Sequence, residues 1–368
     1  MILTILPIIR DIRPYVPATL LTASMVPFAT ASLGLHAAGL VLPRRWVEYI
    51  DNKMFSSYLK MCLFVFENVS GVEIHVYGDY DDIIKRDESA IVFSNHQTSA
   101  DWIISNCVAA RKQTEFGLRF VVKSSLQYIP LFAWYIYQRG FVFVRRFGDF
   151  VFNPVERQFN YLKALNSSFW LGIYPEGTRF DATNLKAIDT THDWCYQKGV
   201  KTFMNVGRPH SKGFSLAFTH LEANIGAVYD FTIGYNNTND LPKRGKVPDM
   251  FELCVSAAKK KEIHIHMKRH PKETVPQTTA GHQLFLLKSF EEKEELFDNF
   301  YTKGTFALKE EKAVVLETIP FSETLPSVAV FVGLLLAPLF SSKVRTVYLA
   351  TICVSPVLIV WTRRIRNI

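Results

Sequence analysis

The sequence predicts an α/β fold: a mixed, mainly parallel sheet flanked by helices, with an N-terminal transmembrane helix and a C-terminal apolar hairpin. Short apolar or alternating segments, typical of strands, are separated by segments of helical periodicity, which is the pattern of α/β sandwiches. The long uncharged stretch near the N-terminus exceeds the roughly 20 residues that a helix needs to cross a bilayer, and two stretches near the C-terminus approach that length.

Length and charge restrict the class of protein. The chain has 368 residues, 48% of them hydrophobic, and a net charge of +8. Its basic residues are interleaved with aromatic and acidic ones, so we predict no nucleic-acid partner, whereas anionic lipids and phosphorylated substrates suit the positive excess. The five cysteines are scattered without metal-ligand spacing, which predicts a reduced, cytosol-facing protein.

The N-terminal anchor is predicted over residues 16–42. No charge occurs between Arg13 and Arg44, and the apolar run exceeds the roughly 7–15 residues of a signal-peptide core. Residues 324–342 and 346–362 also lack charge, but prolines interrupt them, so a tight hairpin or a re-entrant pair is as compatible as two spans. We divide the chain into a membrane anchor (1–43), a catalytic domain (44–235), a C-terminal extension of that domain (236–323) and a membrane pair with a basic tail (324–368).

The soluble body alternates strands and helices. Strands are predicted at 72–78, 90–93, 120–123, 140–146, 169–174, 225–235 and 262–267, and helices at 102–110, 153–165, 284–301 and once within 179–207. The strand 262–267 carries His264 and His266 on one face. A metal site would need a further ligand in register, and none is apparent, so we predict no metal site and a solvated or phosphate-facing strand.

A polar turn follows the strand 90–93 and contains His96, with Asp101 five residues later. Histidine suits proton transfer because its unperturbed pKa lies near neutrality. A direct hydrogen bond between the two side chains requires His96 in the turn and Asp101 in the first turn of the next helix. Two interpretations remain open here: a catalytic pair, or a capping box formed by Thr98 and Asp101 beside a loop histidine.

A second polar turn, Glu176-Gly177-Thr178-Arg179, ends the strand 169–174. Arg179 can hold a phosphate through two hydrogen bonds, with Thr178 and backbone N–H groups as further donors. Glu176 could position Arg179 or a substrate hydroxyl, and Gly177 lets the backbone approach a ligand. Arg146, at the end of another strand, offers a second cation; each motif alone also fits a surface turn or a solvated strand end.

Three motifs in this order resemble the signature of the glycerolipid acyltransferases, the lysophosphatidate acyltransferase family. They are His96-x4-Asp101, Gly140-x-x-Phe143-Val144-x-Arg146 and Glu176-Gly177-Thr178-Arg179, with Lys123-x-x-Leu126-x-x-Ile129-Pro130 before the second. The block covers roughly residues 90–235, and other segments resemble the epsilon-like subgroup. Many members carry a proline-containing fourth motif, and this chain has Tyr229-Asp230 there instead.

The resemblance implies transfer of a fatty acyl group from acyl-CoA to the sn-2 hydroxyl of lysophosphatidate, giving phosphatidate. His96 would be the general base, and Asp101 would fix its tautomer. Arg179, with Glu176, Gly177 and Thr178, would hold the glycerol phosphate, and Arg146 and Lys123 would assist. No cofactor beyond the co-substrate acyl-CoA is expected, since a thioester is already activated, and no protein partner is predicted.

Three alternatives stay open. Another acceptor such as a lysocardiolipin fits the same motifs, and a non-catalytic membrane scaffold explains the anchors but not the ordered motifs. A hydrolase would need a nucleophile; the chain has no G-x-S-x-G elbow, and Ser94 is the candidate near His96. We expect an integral protein of the endoplasmic reticulum membrane, or of the mitochondrial outer membrane or nuclear envelope, with a cytosolic catalytic domain.

Overall fold

The computed structural model describes residues 12–145, 152–236, 247–255, 261–308 and 312–366. Eight strands form one sheet: β1 (Val72–Gly78), β2 (Ala90–Ser94), β3 (Leu118–Lys123), β4 (Val142–Val144), β5 (Trp170–Ile173), β6 (Ala227–Tyr235), β7 (Lys261–Pro271) and β8 (Val314–Val315). Their order is β4-β3-β5-β2-β6-β7-β1-β8. Pairs β6–β7 and β1–β8 are antiparallel and the other five are parallel, so the predicted mixed, mainly parallel sheet is confirmed.

Helices cover both faces of the sheet. In chain order they are α1 (Val16–Ala38), α2 (Arg44–Leu63), α3 (Tyr80–Lys85), α4 (Asp101–Arg111), α5 (Phe132–Gln138), α6 (Phe152–Lys163), α7 (Leu185–Lys198), α8 (Ser211–Leu221), α9 (Met250–Cys254), α10 (Thr279–Lys303), α11 (Phe321–Phe340) and α12 (Ser342–Arg366). The core under α2, α4 and α5 lies on one face, and the core under α6, α8 and α10 lies on the other. The central strands β2, β5 and β6 are buried along their whole length, as expected for strands covered on both sides.

Five helices, α2, α3, α5, α8 and α9, were not predicted from the sequence. Helix α2 spans 20 residues directly after the anchor, where the sequence analysis predicted no helix. The apolar periodicity of α2 is hard to recognise in the sequence, because one of its buried positions is the acidic residue Asp51 and the others include aromatic and aliphatic side chains. Helix α8 was likewise missed. The proposed division of the chain at residue 236 stays a prediction; β7, which follows it, pairs with both β6 and β1.

The predicted apolar helices at both chain ends are confirmed. Helices α1 and α11 and the 342–360 part of α12 are long and apolar enough to cross a membrane. Three prolines that the sequence analysis treated as interruptions lie inside α11 and α12, so the C-terminal pair is two continuous helices. The N- and C-terminal helices contact each other directly, since Thr30 of α1 donates a 3.0 Å hydrogen bond to Thr351 of α12.

Candidate active site

The candidate site begins where β2 ends. Asn95 follows this strand, and its side-chain amide donates to the Ile233 carbonyl at 2.9 Å and accepts from the Ile233 N–H at 2.8 Å. These two bonds continue the contact between β2 and β6 beyond the last strand residue. The backbone that carries His96 is therefore fixed to the sheet before the loop begins.

His96 and Asp101 form the predicted side-chain pair. Nδ1 of His96 lies 2.7 Å from Oδ2 of Asp101, with His96 in the turn and Asp101 at the first position of α4. The His96 side chain is 18% exposed and that of Asp101 is 1% exposed. Since Nδ1 faces the carboxylate, Nε2 is the ring atom that remains for accepting a proton.

Asp101 is held by more than His96. Its Oδ2 also accepts from the backbone N–H of Gln97 at 2.8 Å and of Thr98 at 3.1 Å, and its Oδ1 accepts from the Tyr235 hydroxyl at 2.5 Å. Burial and the neighbouring carboxylate raise the pKa of Tyr235 well above its usual range, so the phenol keeps its proton and donates. These bonds fix the carboxylate in one orientation toward the histidine.

Of the two hydrogen bonds that define a capping box, only one forms between Thr98 and Asp101. Asp101 does accept from the Thr98 N–H, but the Thr98 hydroxyl donates to the Pro248 carbonyl at 2.8 Å. The residue that caps α4 is Ala100, which provides no side-chain hydrogen bond. The Thr98 side chain therefore ties the histidine turn to the 247–249 segment.

The structure brings the second predicted turn directly against the first. The Phe180 N–H donates to the His96 carbonyl at 2.7 Å, and the Tyr174 ring stacks on the imidazole with centroids 4.2 Å apart. Neighbouring parallel strands β2 and β5 end at the same edge of the sheet, which explains why segments 80 residues apart meet. Tyr174 directly follows β5, whereas the sequence analysis placed it as the last residue of the strand 169–174.

Glu176 is a link between loops. Its Oε1 accepts from the His96 N–H at 2.9 Å and its Oε2 accepts from the Gly207 N–H at 3.0 Å. The residue is 5% exposed, and this burial raises the pKa of its carboxyl group to about 8, against the opposing effect of the two N–H donors. Glu176 therefore accepts hydrogen bonds from the backbone of two loops. Gly207, one of these donors, was not predicted as part of the site.

The remaining residues of this turn face outward. Gly177 has φ +68°, a conformation that L side chains rarely adopt, and Thr178 and Arg179 are exposed. Lys123, at the end of β3, is also exposed. Arg146 lies outside the described residues. The site thus combines a buried pair of acidic side chains with exposed cationic and hydroxyl groups on its rim.

The side chains of Ser94 and of the fourth-motif residues Tyr229 and Asp230 form hydrogen bonds within the fold. The buried Ser94 hydroxyl donates to the Asn95 carbonyl at 2.8 Å. Tyr229 donates to Glu88 at 2.7 Å, and Asp230 accepts from the buried Lys293 ammonium, which also donates to the Phe231 carbonyl at 2.7 Å. The Tyr229-Asp230 pair therefore belongs to the interior of β6.

The expectation that no further ligand lies in register with His264 is wrong. Strand β1 pairs with β7 so that His75 lies beside His264, and Glu262 is close to both. His264 is 5% exposed, which also contradicts the predicted solvated strand at this position.

Comparison with known proteins shows which proteins the chain is similar to. Residues 74–220 match the family model described as Acyltransferase, and residues 254–329 match the model described as Acyltransferase C-terminus. The first match contains His96, Asp101 and the Glu176–Arg179 turn. Two parts of the chain thus match acyltransferase family models, and the resemblance predicted from the sequence is confirmed.

Particular relatives are more specific. The chain is 29% identical over 349 residues to the 1-acyl-sn-glycerol-3-phosphate acyltransferase epsilon of Mus musculus, with 93% of each chain covered. It is also 29% identical over 262 residues to the lysocardiolipin acyltransferase 1 of Gallus gallus, covering 70% of this chain and 65% of that protein. A solved structure, the 1-acyl-sn-glycerophosphate acyltransferase PlsC of Thermotoga maritima, has 16% identity and a TM-score of 0.44, covering 78% of this chain and 97% of PlsC.

Proposed function

We propose that this protein transfers a fatty acyl group from acyl-CoA to the sn-2 hydroxyl of lysophosphatidate, giving phosphatidate. The observation that carries the proposal is the 2.7 Å contact between His96 Nδ1 and the buried Asp101 carboxylate, next to a turn that ends in exposed Arg179. The relative named as a 1-acyl-sn-glycerol-3-phosphate acyltransferase, which aligns over 93% of this chain, supports the choice of acceptor.

His96 acts as general base in the proposed reaction. Asp101 accepts the Nδ1 proton, so the Nε2 lone pair takes the proton of the acceptor hydroxyl. The hydroxyl oxygen attacks the thioester carbonyl, and a tetrahedral intermediate forms. Its collapse breaks the carbon–sulfur bond, and the CoA thiolate takes the proton back from His96. Asp101 stabilises the imidazolium between these two steps without accepting its proton.

The acceptor phosphate binds at the exposed rim. The Arg179 guanidinium donates two parallel hydrogen bonds to the phosphate, and Thr178 and Lys123 supply further donors. Arg146 joins them as a proposed second cation. Glu176 and Gly177 shape the turn: the first ties it to the histidine loop and the second allows its positive φ angle. No metal or cofactor is assigned a role in this reaction.

A lysocardiolipin is the second candidate acceptor, because a relative of that name aligns over 70% of this chain. The deciding experiment supplies purified full-length protein in detergent with labelled acyl-CoA and a panel of lysophospholipids, with His96→Ala as the control. Preferential labelling of lysophosphatidate supports the proposal, and preferential labelling of lysocardiolipin replaces its acceptor. Fatty acid release without an acceptor would indicate a hydrolase, and no turnover at all would indicate a scaffold.

We also propose that the enzyme is an integral protein of the endoplasmic reticulum membrane with its catalytic domain in the cytosol. The three helices of membrane-spanning length support the membrane location, and the proposed use of acyl-CoA favours the cytosolic placement. Asn166 belongs to an N-x-S sequon and is exposed, so it would be accessible to glycosylation in a lumenal domain. We expect no mobility shift on glycosidase treatment; a shift that disappears with Asn166→Gln would place this domain in the lumen.

Fluorescence imaging of the tagged chain with organelle markers tests the compartment against the mitochondrial outer membrane and the nuclear envelope.

A further inference from the structure

Strands β1 and β7 align glutamate with glutamate and histidine with histidine. In their parallel register Glu73 lies beside Glu262 and His75 lies beside His264. Alternate residues of a strand point to the same face, so all four side chains lie on one face of the sheet. Two carboxylates that neighbour each other across strands repel unless a cation lies between them.

The four side chains converge at short range. The two imidazole rings are stacked, with centroids 4.6 Å apart and planes at 10°. Nε2 of His75 lies 2.7 Å from Oε1 of Glu73, and Nε2 of His264 lies 4.0 Å from Oε2 of Glu262. One potential ligand atom from each of His75, Glu262 and His264 lies within 4.8 Å of the others.

The outer contacts orient His264 as a ligand. Its Nδ1 lies 2.7 Å from the Tyr77 hydroxyl, and that hydroxyl accepts from Thr305 Oγ1 at 3.1 Å. With Nδ1 engaged by Tyr77, Nε2 is the nitrogen that faces Glu262, and metal-binding histidines likewise engage their second ring nitrogen in a hydrogen bond.

The cluster is closed on one side and open on the other. The side chain of His264 is 6% exposed and that of His75 is 15% exposed, whereas Glu262 and Glu73 are 26% and 32% exposed. An ion can therefore enter past the carboxylates and stop against the buried imidazoles. The cluster lies on the β1–β7 pair, which β6 separates from β2 and His96.

We propose that Glu73, His75, Glu262 and His264 bind one divalent transition-metal ion, with Zn²⁺ as the fitting ion. Mixed imidazole and carboxylate ligands suit zinc, whereas calcium and magnesium prefer oxygen ligands throughout. Zinc takes nitrogen and oxygen ligands at about 2.0–2.2 Å, which places tetrahedral ligand atoms about 3.4 Å apart. The ligand atoms of His75, Glu262 and His264, which lie within 4.8 Å of one another, reach that separation through side-chain displacements of about 1 Å. The ion would join β1 to β7 and neutralise the paired glutamates.

The test measures metal binding directly and does not depend on enzymatic activity. Full-length protein in detergent is stripped with a chelator and titrated with Zn²⁺ by calorimetry, and a parallel titration with Co²⁺ follows the visible absorption of a tetrahedral site. We expect one equivalent of metal per chain. Absence of Zn²⁺ binding would overturn the proposal. So would binding of Zn²⁺ when Co²⁺ does not give the visible absorption of a tetrahedral site.

Substitutions assign the ligands. Glu262→Gln and Glu73→Gln preserve size at partly exposed positions, and each should weaken Zn²⁺ binding at least ten-fold. Tyr77→Phe removes the contact that orients His264 and should weaken binding by about 10–100-fold. The control is His192→Gln on α7, outside the sheet, which should bind Zn²⁺ like the unchanged protein. Equal affinity in all of these variants would show binding elsewhere and overturn the assignment.

Discussion

The inner and outer halves of the candidate site differ in how their side chains are held. In the inner half, Asp101 and Glu176 are buried and accept hydrogen bonds from several backbone N–H groups. In the outer half, Lys123, Thr178 and Arg179 are exposed. The two halves are contiguous, since Glu176 and Arg179 are three residues apart in one turn.

This difference separates chemistry from recognition. A buried carboxylate fixed by several donors cannot reorient, so the histidine it holds is positioned before any substrate arrives, which is what proton transfer requires. An exposed guanidinium keeps its side-chain entropy and hydration until a phosphate orders it. We therefore expect substitutions in the inner half to reduce turnover and substitutions in the outer half to reduce substrate affinity.

The largest expected effect is that of His96→Ala. Loss of a general base lowers turnover by roughly 10²–10⁴-fold, and because His96 lies in a turn, its truncation should leave the chain folded in the membrane. Turnover is measured with labelled acyl-CoA and lysophosphatidate, and membrane extraction and melting curves test folding.

Two matched variants serve as controls for His96→Ala. His192→Ala, on α7, should retain activity, and so should Ser94→Ala, because the Ser94 hydroxyl donates to its neighbour's carbonyl. A near-normal rate for His96→Ala would refute the proposed base. A complete loss in Ser94→Ala would favour a serine nucleophile instead.

The next effect concerns the outer half. Arg179→Lys keeps the charge but loses the fork that pairs with a phosphate. A charged hydrogen bond is worth roughly 1.5–3 kcal/mol, so KM for lysophosphatidate should rise by about 10–150-fold with little change in kcat. The KM for acyl-CoA serves as the internal control and should change much less. An effect confined to acyl-CoA would move Arg179 to the donor pocket, and wild-type values for both would leave it as a surface turn residue.

A smaller effect is expected for Tyr235→Phe, which removes one hydrogen bond from Asp101. Loss of about 1.5 kcal/mol corresponds to roughly a ten-fold lower kcat/KM. Without the tyrosine donor, the Asp101 carboxylate stabilises the protonated form of His96 more strongly. The acid limb of the pH profile of kcat/KM should therefore move to higher pH. Tyr229→Phe, on the same strand but bonded to Glu88, is the matched control. Identical pH profiles for both variants would contradict a positioning role for Tyr235.

The smallest predicted effect is on stability. Burial raises the pKa of Glu176 to about 8, above the ~4.3 of an unfolded glutamate. The folded chain therefore binds more protons between these values, so the stability from this group is complete below about pH 4 and is lost as pH rises toward 8. Glu176→Gln lacks this titration, and its melting temperature should fall by a few degrees less than that of the unchanged protein between pH 5.5 and 8.5. Parallel slopes would show that Glu176 is ionised throughout.

The local parts of the site could be predicted from the sequence. The spacing of His96 and Asp101 required a turn followed by a helix, and that geometry is what the structure contains. Such short-range relations depend on local backbone geometry, which few residues determine. The contact between the two turns, in contrast, depends on the adjacency of β2 and β5, which are 80 residues apart in sequence.

Partners supplied by other strands were missed for the same reason. Tyr235 reaches Asp101 because β6 lies beside β2, and no feature near Tyr235 in the sequence indicates this. His75 and His264 are 189 positions apart and become neighbours through parallel pairing of β1 with β7. The sequence showed each residue but contained no information on the register between strands.

The fold class, the apolar helices at both ends and the main polar turns could all be predicted from the order of the residues along the chain. These follow from periodicity, length and local spacing, which are properties of consecutive residues. Three contacts became visible only in the folded chain: Glu176 binds the backbone of His96, Tyr235 supports Asp101, and a histidine–glutamate cluster forms on β1 and β7. The physical reason is that strand order and register are set by burial of the whole sheet, and this burial brings together side chains that are distant along the chain.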